Sequence, residues 1–229
     1  MRRVVTRTDE PASPPHDLIV IGAGAAGLAT AIFTAHAMPH ARVACLDGTR
    51  RIGAKILVSG GSRCNVTNAV VTERDYWGGR RTIIRRILSR LPVPETIAFF
   101  EEIGVPLKEE PTAKLFPRSD RSRDVLEALL GAARAAAVTI RPPTRVNELS
   151  READGFALAT SRGVVRAPVV VMATGGLSLP KSGSDAAGLR MARELGHAIV
   201  PTTPALAPLV LRNGFNESVS GVSHDVELA

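Results

Sequence analysis

The amino-acid sequence predicts an α/β fold built around a parallel β-sheet, and two distant segments carry that prediction. Residues 17–27 read DLIVIGAGAAG, in which the four apolar residues Leu18–Ile21 indicate a buried strand that runs into a glycine turn. Residues 169–176 read VVVMATGG, a second apolar strand, which ends in Ala-Thr-Gly-Gly. Continuous apolar strands of this kind are typical of parallel sheets that are covered on both faces.

The first strand leads into a pattern that favours binding of a dinucleotide. Gly22, Gly24 and Gly27 form Gly-x-Gly-x-x-Gly, and the positions between them are Ala23, Ala25 and Ala26. The first glycine allows a tight turn, the second admits a pyrophosphate, and the third lets the helix pack closely on the strand. The alanine-rich residues 25–37 favour a helix whose N-terminus would face the phosphates. Taken without their context, the three glycines could also form an ordinary strand–helix turn that binds no ligand.

The next predicted strand, residues 42–46, ends at an acidic residue. Asp47 follows this strand about 20 residues after the glycines, where an acid is expected to bind ribose hydroxyls. The second glycine-ended strand would then close over the cofactor with backbone, through Ala173, Thr174, Gly175 and Gly176. A single nicotinamide site would not need this second segment, so the pair predicts a flavin dinucleotide, FAD.

Neither helical nor strand periodicity explains residues 53–68, GAKILVSGGSRCNVTN, which we predict to form a loop. Its glycines would let the backbone approach a ligand, and its cations would lie near that ligand. The residues predicted to contact the cofactor are Lys55, Ser59, Gly60, Arg63, Cys64 and Asn65. An ordinary surface loop is the alternative interpretation.

Composition excludes several classes of protein. The uncharged run 18–35 is long enough for a transmembrane helix, but beyond Ile21 it is mostly alanine and glycine, so we predict no membrane association. The chain of 229 residues carries a net charge of +7, but only 3% of it is aromatic, so a solvated basic surface is favoured over a nucleic-acid partner. Cys45 and Cys64 do not have the spacing of metal ligands, so we predict no metal site. With so few cysteines, we expect the protein to reside in the reducing cytoplasm.

The sequence resembles the YhiN/BaiN-type flavoproteins, a family of NAD(P)/FAD-dependent oxidoreductases, over residues 16–229. Three segments carry the resemblance: GAGAAG at 22–27, KILVSGGSRCNVTN at 55–68 and ATGGLSLPKSGS at 173–184. Three positions or stretches depart from the family pattern. Ser62 replaces the last glycine before Arg-Cys-Asn, Asp47 replaces the commoner glutamate, and residues 184–188 are less rich in glycine.

The resemblance implies a Rossmann-like FAD-binding domain of the two-dinucleotide-binding type, with an inserted antiparallel β-meander whose first residue, Val146, meets adenine through its backbone. It implies hydride transfer between NAD(P)H, the flavin and a small organic substrate such as an enone, and it identifies no catalytic acid or base. Family members continue well beyond this length, so the C-terminal half of the fold is expected to be missing and the chain to be a fragment or truncated form. A flavin-dependent tRNA-modification protein and a non-catalytic flavin-binding remnant remain as alternatives.

The remaining elements follow from periodicity and turn residues. We predict a disordered leader over 1–16, the FAD-binding domain over 17–200 with a helical and hairpin insertion at about 70–118, and the start of a β-rich substrate domain over 201–229. Tyr76 and Trp77 are expected to pack on the insertion, and His197 to cap a helix rather than donate a proton. The predicted elements are helices over 82–91, 95–103, 125–136 and 186–195, a hairpin over 105–117, and meander strands over 146–149, 156–160 and 164–167.

Overall fold

A computed structural model describes residues 16–178 and 182–204 of the chain. Its elements in chain order are β1 (Leu18–Ile21), α1 (Ala25–Ala37), β2 (Val43–Leu46), α2 (Ala54–Ser62), β3 (Thr67–Asn68), a 3₁₀ turn (Glu73–Asp75), α3 (Arg81–Leu88), α4 (Val93–Glu102), β4 (Leu107–Glu109), β5 (Lys114–Pro117), α5 (Ser122–Ala135), β6 (Thr139–Arg141), β7 (Val146–Glu152), β8 (Gly155–Thr160), β9 (Gly163–Ala167), β10 (Val169–Met172) and α6 (Ala187–Glu194).

The central sheet is parallel and has the strand order β10-β1-β2-β6. β1 is paired on both sides, so Ile19 lies opposite Val170 on one neighbour and Ala44 on the other. All four residues of β1 are buried, as its continuous apolar sequence predicts. The two glycine-ended segments, 150 residues apart, therefore end side by side at one edge of the sheet.

Two antiparallel sheets complete the strand topology. Strands β7-β8-β9 form the predicted meander, which leads directly into β10. The predicted hairpin is present as β4 and β5, and β3 extends it to a sheet in the order β3-β5-β4. The Rossmann-like fold with an inserted antiparallel meander is thus confirmed.

Helices α1 and α5 bury their apolar sides within one hydrophobic core. On α1, Leu28 and Ile32 are fully buried, and Val125 and Leu129 of α5 are nearly so. The ring of Phe33 on α1 lies 4.8 Å from that of Phe99 on α4, which brings the helical insertion into the same core. Burial of each large aliphatic side chain contributes on the order of 1.5–3 kcal/mol.

Two sequence predictions about local structure are wrong. The stretch predicted as a loop begins with a helix, α2, whose Ile56 packs into the core. The regular helix ends before Ser59, whose ψ is 146°, and Gly60 and Gly61 take left-handed φ values of +54° and +67°. The expected packing of Tyr76 and Trp77 is also not found. Their side chains are 48% and 89% exposed.

The described residues up to Ile199 belong to one compact unit, and a second unit begins at Val200. Residues 1–15 of the predicted leader and 205–229 of the predicted substrate domain lie outside the described residues. His16, which we assigned to the leader, is buried with 5% exposure. Within the described part of the chain, none of the helices is both long and apolar enough to span a bilayer.

Candidate functional site

A cavity of about 640 Å³ opens where the carboxyl ends of β1, β2 and β10 meet. This is the edge at which ligands bind in open parallel sheets, and the volume falls in the usual range for small-molecule sites, about 300–1,000 Å³. The predicted site residues that line it are Gly22, Gly24, Ala25, Ala26, Asp47, Lys55, Ser59, Cys64, Asn65, Val146, Ala173, Thr174 and Gly175. Ala23, Gly27, Gly60, Arg63 and Gly176 are not among the lining residues.

The three glycines of the turn have different environments. A Cβ added at Gly22 would lie 2.5 Å from the carbonyl oxygen of Ala173, and Gly22 has a φ of +105°. A Cβ at Gly27 would lie 1.8 Å from the carbonyl oxygen of Gly22. A Cβ at Gly24 would meet no atom within 4 Å, so the backbone there is open to the cavity. Two glycines are therefore required for packing, and Gly24 leaves room for a ligand.

The N-terminus of α1 has the properties of an anion site. The helix begins after Gly24, no side chain caps it, and its first turn carries no acidic residue. Its first N–H groups and the positive end of its dipole favour a phosphate at this position. The open backbone at Gly24 and the uncapped helix together fit the pyrophosphate of a dinucleotide.

Asp47 ties the glycine turn to the end of β2. Its Oδ2 accepts a hydrogen bond of 2.8 Å from the N–H of Ala23, 24 residues earlier in the chain. Its Oδ1 accepts from both the N–H and the hydroxyl of Thr49, at 2.8 and 2.6 Å. The carboxylate is thus fixed within the cavity wall, and Oδ2 retains capacity for a further hydrogen bond.

Lys55 connects α2 to the segment that follows β10. Its Nζ donates to the hydroxyl of Ser178 at 2.9 Å and lies 3.2 Å from the position of a Cβ on Gly175. The ammonium group of α2 is therefore held beside the loop that follows β10. Lys55 is also a lining residue, so it contributes positive charge to the cavity wall.

The Arg-Cys-Asn turn is held by hydrogen bonds along its own backbone. The N–H of Cys64 donates to the carbonyl of Ser59 at 2.9 Å. A Cβ at Gly60 would lie 2.7 Å from the backbone nitrogen of Asn65, so Gly60 permits this close approach. Ser62 has a φ of +67°, a conformation that favours glycine, which explains the glycine of the family pattern.

Arg63 has a structural environment of its own. Its guanidinium donates to Glu110 at 2.5 Å, lies 3.7 Å from the carboxylate of Asp120, and stacks 4.2 Å above the ring of Phe116. These contacts join the turn to the β3-β5-β4 sheet rather than direct the side chain into the cavity. The predicted contact between Arg63 and a cofactor is therefore not supported by the position of its side chain.

Arg145 and Asp185 are lining residues that sequence reasoning missed. Nη2 of Arg145 lies 2.5 Å from Oδ2 of Asp185 across 40 residues of sequence. Burial acts to raise the pKa of Asp185, but the hydrogen bonds from Arg145 and from the N–H of Ala187 outweigh it, and the pKa is lowered. Asp185 lies in the stretch 184–188 that departs from the family pattern, but nothing in the sequence indicates that it pairs with Arg145.

The two cysteines are buried free thiols. Desolvation, with a smaller contribution from the negative charge of Asp47, raises the pKa of Cys45 to about 12. Burial also raises the pKa of Cys64, against the hydrogen bond with Ser59. Across residues 16–178 and 182–204, no group of three or more His, Cys, Asp or Glu is placed to hold a metal ion.

Comparison with known proteins supports the sequence resemblance. A family model described as "HI0933-like protein Rossmann domain" matches residues 16–225. The 3-dehydro-bile acid delta(4,6)-reductase of Clostridium scindens is 34% identical over 210 residues, which are 92% of this chain and 51% of that protein. The ribosomal RNA dihydrouridine synthase of Escherichia coli is 30% identical over 203 residues, 89% of this chain and 50% of that protein. The chain therefore spans about half the length of the curated relatives it matches.

A solved structure agrees at the level of the fold. THI4 of Thermovibrio ammonificans superposes with a TM-score of 0.53 at 15% identity, over 80% of this chain and 64% of that one. At this identity the likeness concerns the fold alone. It supports the architecture described above.

Proposed function

The chain belongs to the HI0933-like family, and from that premise we propose that it is an FAD-dependent oxidoreductase that transfers hydride between NAD(P)H, the flavin and an organic substrate. FAD, when bound, supplies a ring that accepts and donates hydride. The bile-acid reductase relative favours a substrate with a carbonyl-conjugated double bond, that is, an enone.

The observation that carries the proposal is the joint geometry of Gly24 and Asp47. Gly24 leaves the backbone open at an uncapped helix N-terminus, and Asp47 is fixed at the end of the neighbouring strand by the N–H of Ala23. The α1 N–H groups would bind the pyrophosphate, and Asp47 would accept hydrogen bonds from the ribose hydroxyls. Lys55, which also lines the cavity, would balance part of the negative charge of the phosphates.

The residues at the other predicted positions have compatible roles. Ala173, Thr174 and Gly175 would cover the cofactor with backbone, because β10 ends beside β1. Val146 begins the meander strand at the cavity wall, where its backbone would meet the adenine. Apolar lining side chains such as Leu46 and Met191 would exclude water from the bound cofactor.

Release of the cofactor tests the proposal. We expect the purified protein, heated and centrifuged, to release FAD that is identified by its absorbance and chromatographic retention. Reconstituted protein should oxidise NADH or NADPH faster when an enone is added. Release of a nicotinamide nucleotide with no flavin, or failure to bind added FAD, would contradict the proposal.

A second candidate, a flavoprotein that acts on RNA, is favoured by one surface segment and by the ribosomal RNA dihydrouridine synthase relative. The arginine segment, residues 72–91, contains six arginines and two acidic residues, and all six arginines are exposed. Trp77 and Tyr76 are exposed on the same segment. Arginine with exposed aromatic rings is the combination that binds single-stranded nucleic acid through phosphate contacts and base stacking.

Salt-dependent RNA binding tests this second candidate. For a single-stranded oligonucleotide, each phosphate contact contributes about 0.7 to the slope of log affinity against log salt. Replacing Arg81, Arg86 and Arg90 by serine should weaken binding and lower that slope. The matched control replaces three exposed arginines elsewhere, Arg134, Arg151 and Arg193, and removes the same charge. Equal losses in both variants would argue against a specific site.

A further inference from the structure

Three elements that are distant in sequence meet at one end of the cavity, next to Asp47. Gly48 follows β2, Arg145 precedes β7, and Asp185 precedes α6, and all three residues line the cavity. A Cβ on Gly48 would lie 2.7 Å from Cδ of Arg145, so the stem of this side chain runs close against the Gly48 backbone. The guanidinium then reaches Asp185 at 2.5 Å.

Both members of this ion pair are anchored by further hydrogen bonds. The N–H of Arg145 donates to the Ser161 hydroxyl at 3.1 Å, and its carbonyl accepts from the Ser161 N–H at 2.8 Å. On the other side, Oδ1 of Asp185 accepts from the N–H of Ala187 at the start of α6, at 3.2 Å. Because the backbone of one partner and the carboxylate of the other are already fixed, forming the pair costs less side-chain entropy than usual.

The position of the pair relates it to one half of the proposed cofactor. Gly24 and the α1 N-terminus mark the pyrophosphate position, whereas Asp47 and Val146 mark the adenosine half. The adjacent residue Thr144 donates its N–H to the carbonyl of Asp47 at 2.6 Å, which ties the Arg145 segment to the ribose end. The ion pair therefore joins the meander to α6 at the adenosine end of the cavity.

We propose that the Arg145–Asp185 pair retains the adenosine half of FAD, so that breaking the pair speeds dissociation of the cofactor. This inference rests on the proposed function, since it requires FAD in the cavity. Arg145 and Asp185 are positioning residues: they hold the meander and α6 together around the ligand, and they take no part in hydride transfer.

The test is the rate of FAD exchange in three variants. Arg145→Met keeps the aliphatic stem against Gly48 but removes the charge, and Asp185→Asn keeps an oxygen for the Ala187 N–H. Each variant should release FAD about two- to fivefold faster on dilution into excess apoprotein, the range expected for one partly exposed ion pair. The double variant should release FAD no faster than either single variant, because both changes remove the same interaction.

A second ion pair on the meander supplies the matched control. Arg166 on β9 and Glu152 on β7 lie 3.0 Å apart across β8, and neither residue lines the cavity. The Arg166→Met and Glu152→Gln variants should release FAD at the wild-type rate. Raising the salt concentration should speed release less in Arg145→Met than in the wild type and the control variants, because only this variant has already lost the ion pair.

The outcomes separate this inference from the function on which it rests. Failure of the wild-type chain to bind FAD would overturn the proposed function, and the retention role with it. Normal binding of FAD with a wild-type exchange rate in Arg145→Met would overturn the retention role alone. Additive effects in the double variant would also overturn it, since they would mean that the two residues act independently. Unfolding of each apoprotein by urea, with an unchanged midpoint, would exclude a general loss of structure.

Discussion

The glycine turn and the arginine segment differ in what holds their side chains in place. Around the turn, residues 18–49 pack two strands and a helix so closely that carbonyl oxygens occupy the space of absent Cβ atoms. In the arginine segment, α3 buries none of its residues, and Ile83 and Ile87 are 53% and 66% exposed. The turn is held in place by packing, whereas most side chains of the arginine segment are exposed among the described residues.

The two regions illustrate two kinds of site, one held in place by packing and one exposed to solvent. Where backbone and side chains are held by packing, the site is preorganised and a substitution acts through the fold. Where cations and aromatic rings face solvent, a substitution acts on binding and leaves stability nearly unchanged. Paired substitutions, one in each region, measure this contrast directly.

The largest contrast is expected for glycine. Gly27→Ala would place a Cβ 1.8 Å from the Gly22 carbonyl oxygen, so β1 and α1 would have to separate, at a cost of more than about 4 kcal/mol. Gly79→Ala in the arginine segment would meet only the flexible end of the Ile84 side chain at 3.0 Å, and should change stability by less than about 1 kcal/mol. Urea denaturation of both variants measures the difference. Equal midpoints would contradict the packing role of Gly27.

Aliphatic truncation should give the next largest difference. Leu28 on α1 is fully buried, so Leu28→Ala should lower the free energy of unfolding by about 2–5 kcal/mol through lost burial and the cavity left behind. Ile87→Ala on α3 should stay within about 0.5 kcal/mol, since that side chain is mostly exposed. Calorimetry of both variants checks this. A loss of more than about 2 kcal/mol in Ile87→Ala would mean that another part of the chain covers α3 in solution.

Replacing an acidic residue in each region should give a smaller difference in stability. Asp47→Ala leaves the N–H of Ala23 without its acceptor and should destabilise the apoprotein by about 1–3 kcal/mol, in addition to weakening FAD binding. Asp75→Ala removes only the exposed capping box with Thr72, and should cost less than about 1 kcal/mol and leave FAD affinity unchanged. Unfolding curves and FAD titrations of both variants decide this. Unchanged apoprotein stability in Asp47→Ala would contradict the structural role of the carboxylate.

The smallest effects concern acid titration. A hydrogen bond from Arg42 lowers the pKa of Asp17 to about 2, and one from Arg85 lowers the pKa of Glu73 to about 2. Because both folded-state pKa values lie below the ordinary values, each pair contributes stability above about pH 4, which is lost as the pH falls towards 2. Carboxyl NMR titrations should show Arg42→Ala raising the pKa of Asp17 alone, and Arg85→Ala that of Glu73 alone. If either variant also changed the pKa of the carboxyl group in the other pair, the two pairs would not be independent.

The parts of the fold that sequence predicts are those in which local pattern and burial agree. The bounds of β1 and α1 follow directly from an apolar run, a glycine turn and an alanine-rich helix. The sequence does not predict strand β6, because three residues before Pro142 are too few to show an alternation of apolar and polar side chains. They form a strand only by pairing with β2. Helix α2 was missed because the glycines and serines at its C-terminal end conceal the short apolar helix that precedes them.

The candidate site divides in the same way. Most of the predicted site residues line the cavity, because glycines, Asp47 and Lys55 have recognisable spacing and chemistry. Motifs did not identify the Arg145–Asp185 pair, which depends on long-range topology, nor the contacts that turn Arg63 towards Glu110 and Phe116. The exposure of Trp77 was also beyond sequence reasoning, since an aromatic residue beside a predicted helix ordinarily packs on it.

The burial of both cysteines has a practical consequence for spectroscopy. Their side chains are shielded and their thiols are protonated at neutral pH, so maleimide and iodoacetamide reagents should modify them slowly. A new cysteine at the exposed position of Trp77 would therefore be the preferred attachment site for a fluorophore, without removal of either native cysteine. A label there would report on the arginine segment while the cavity at the end of the parallel sheet keeps its native sequence.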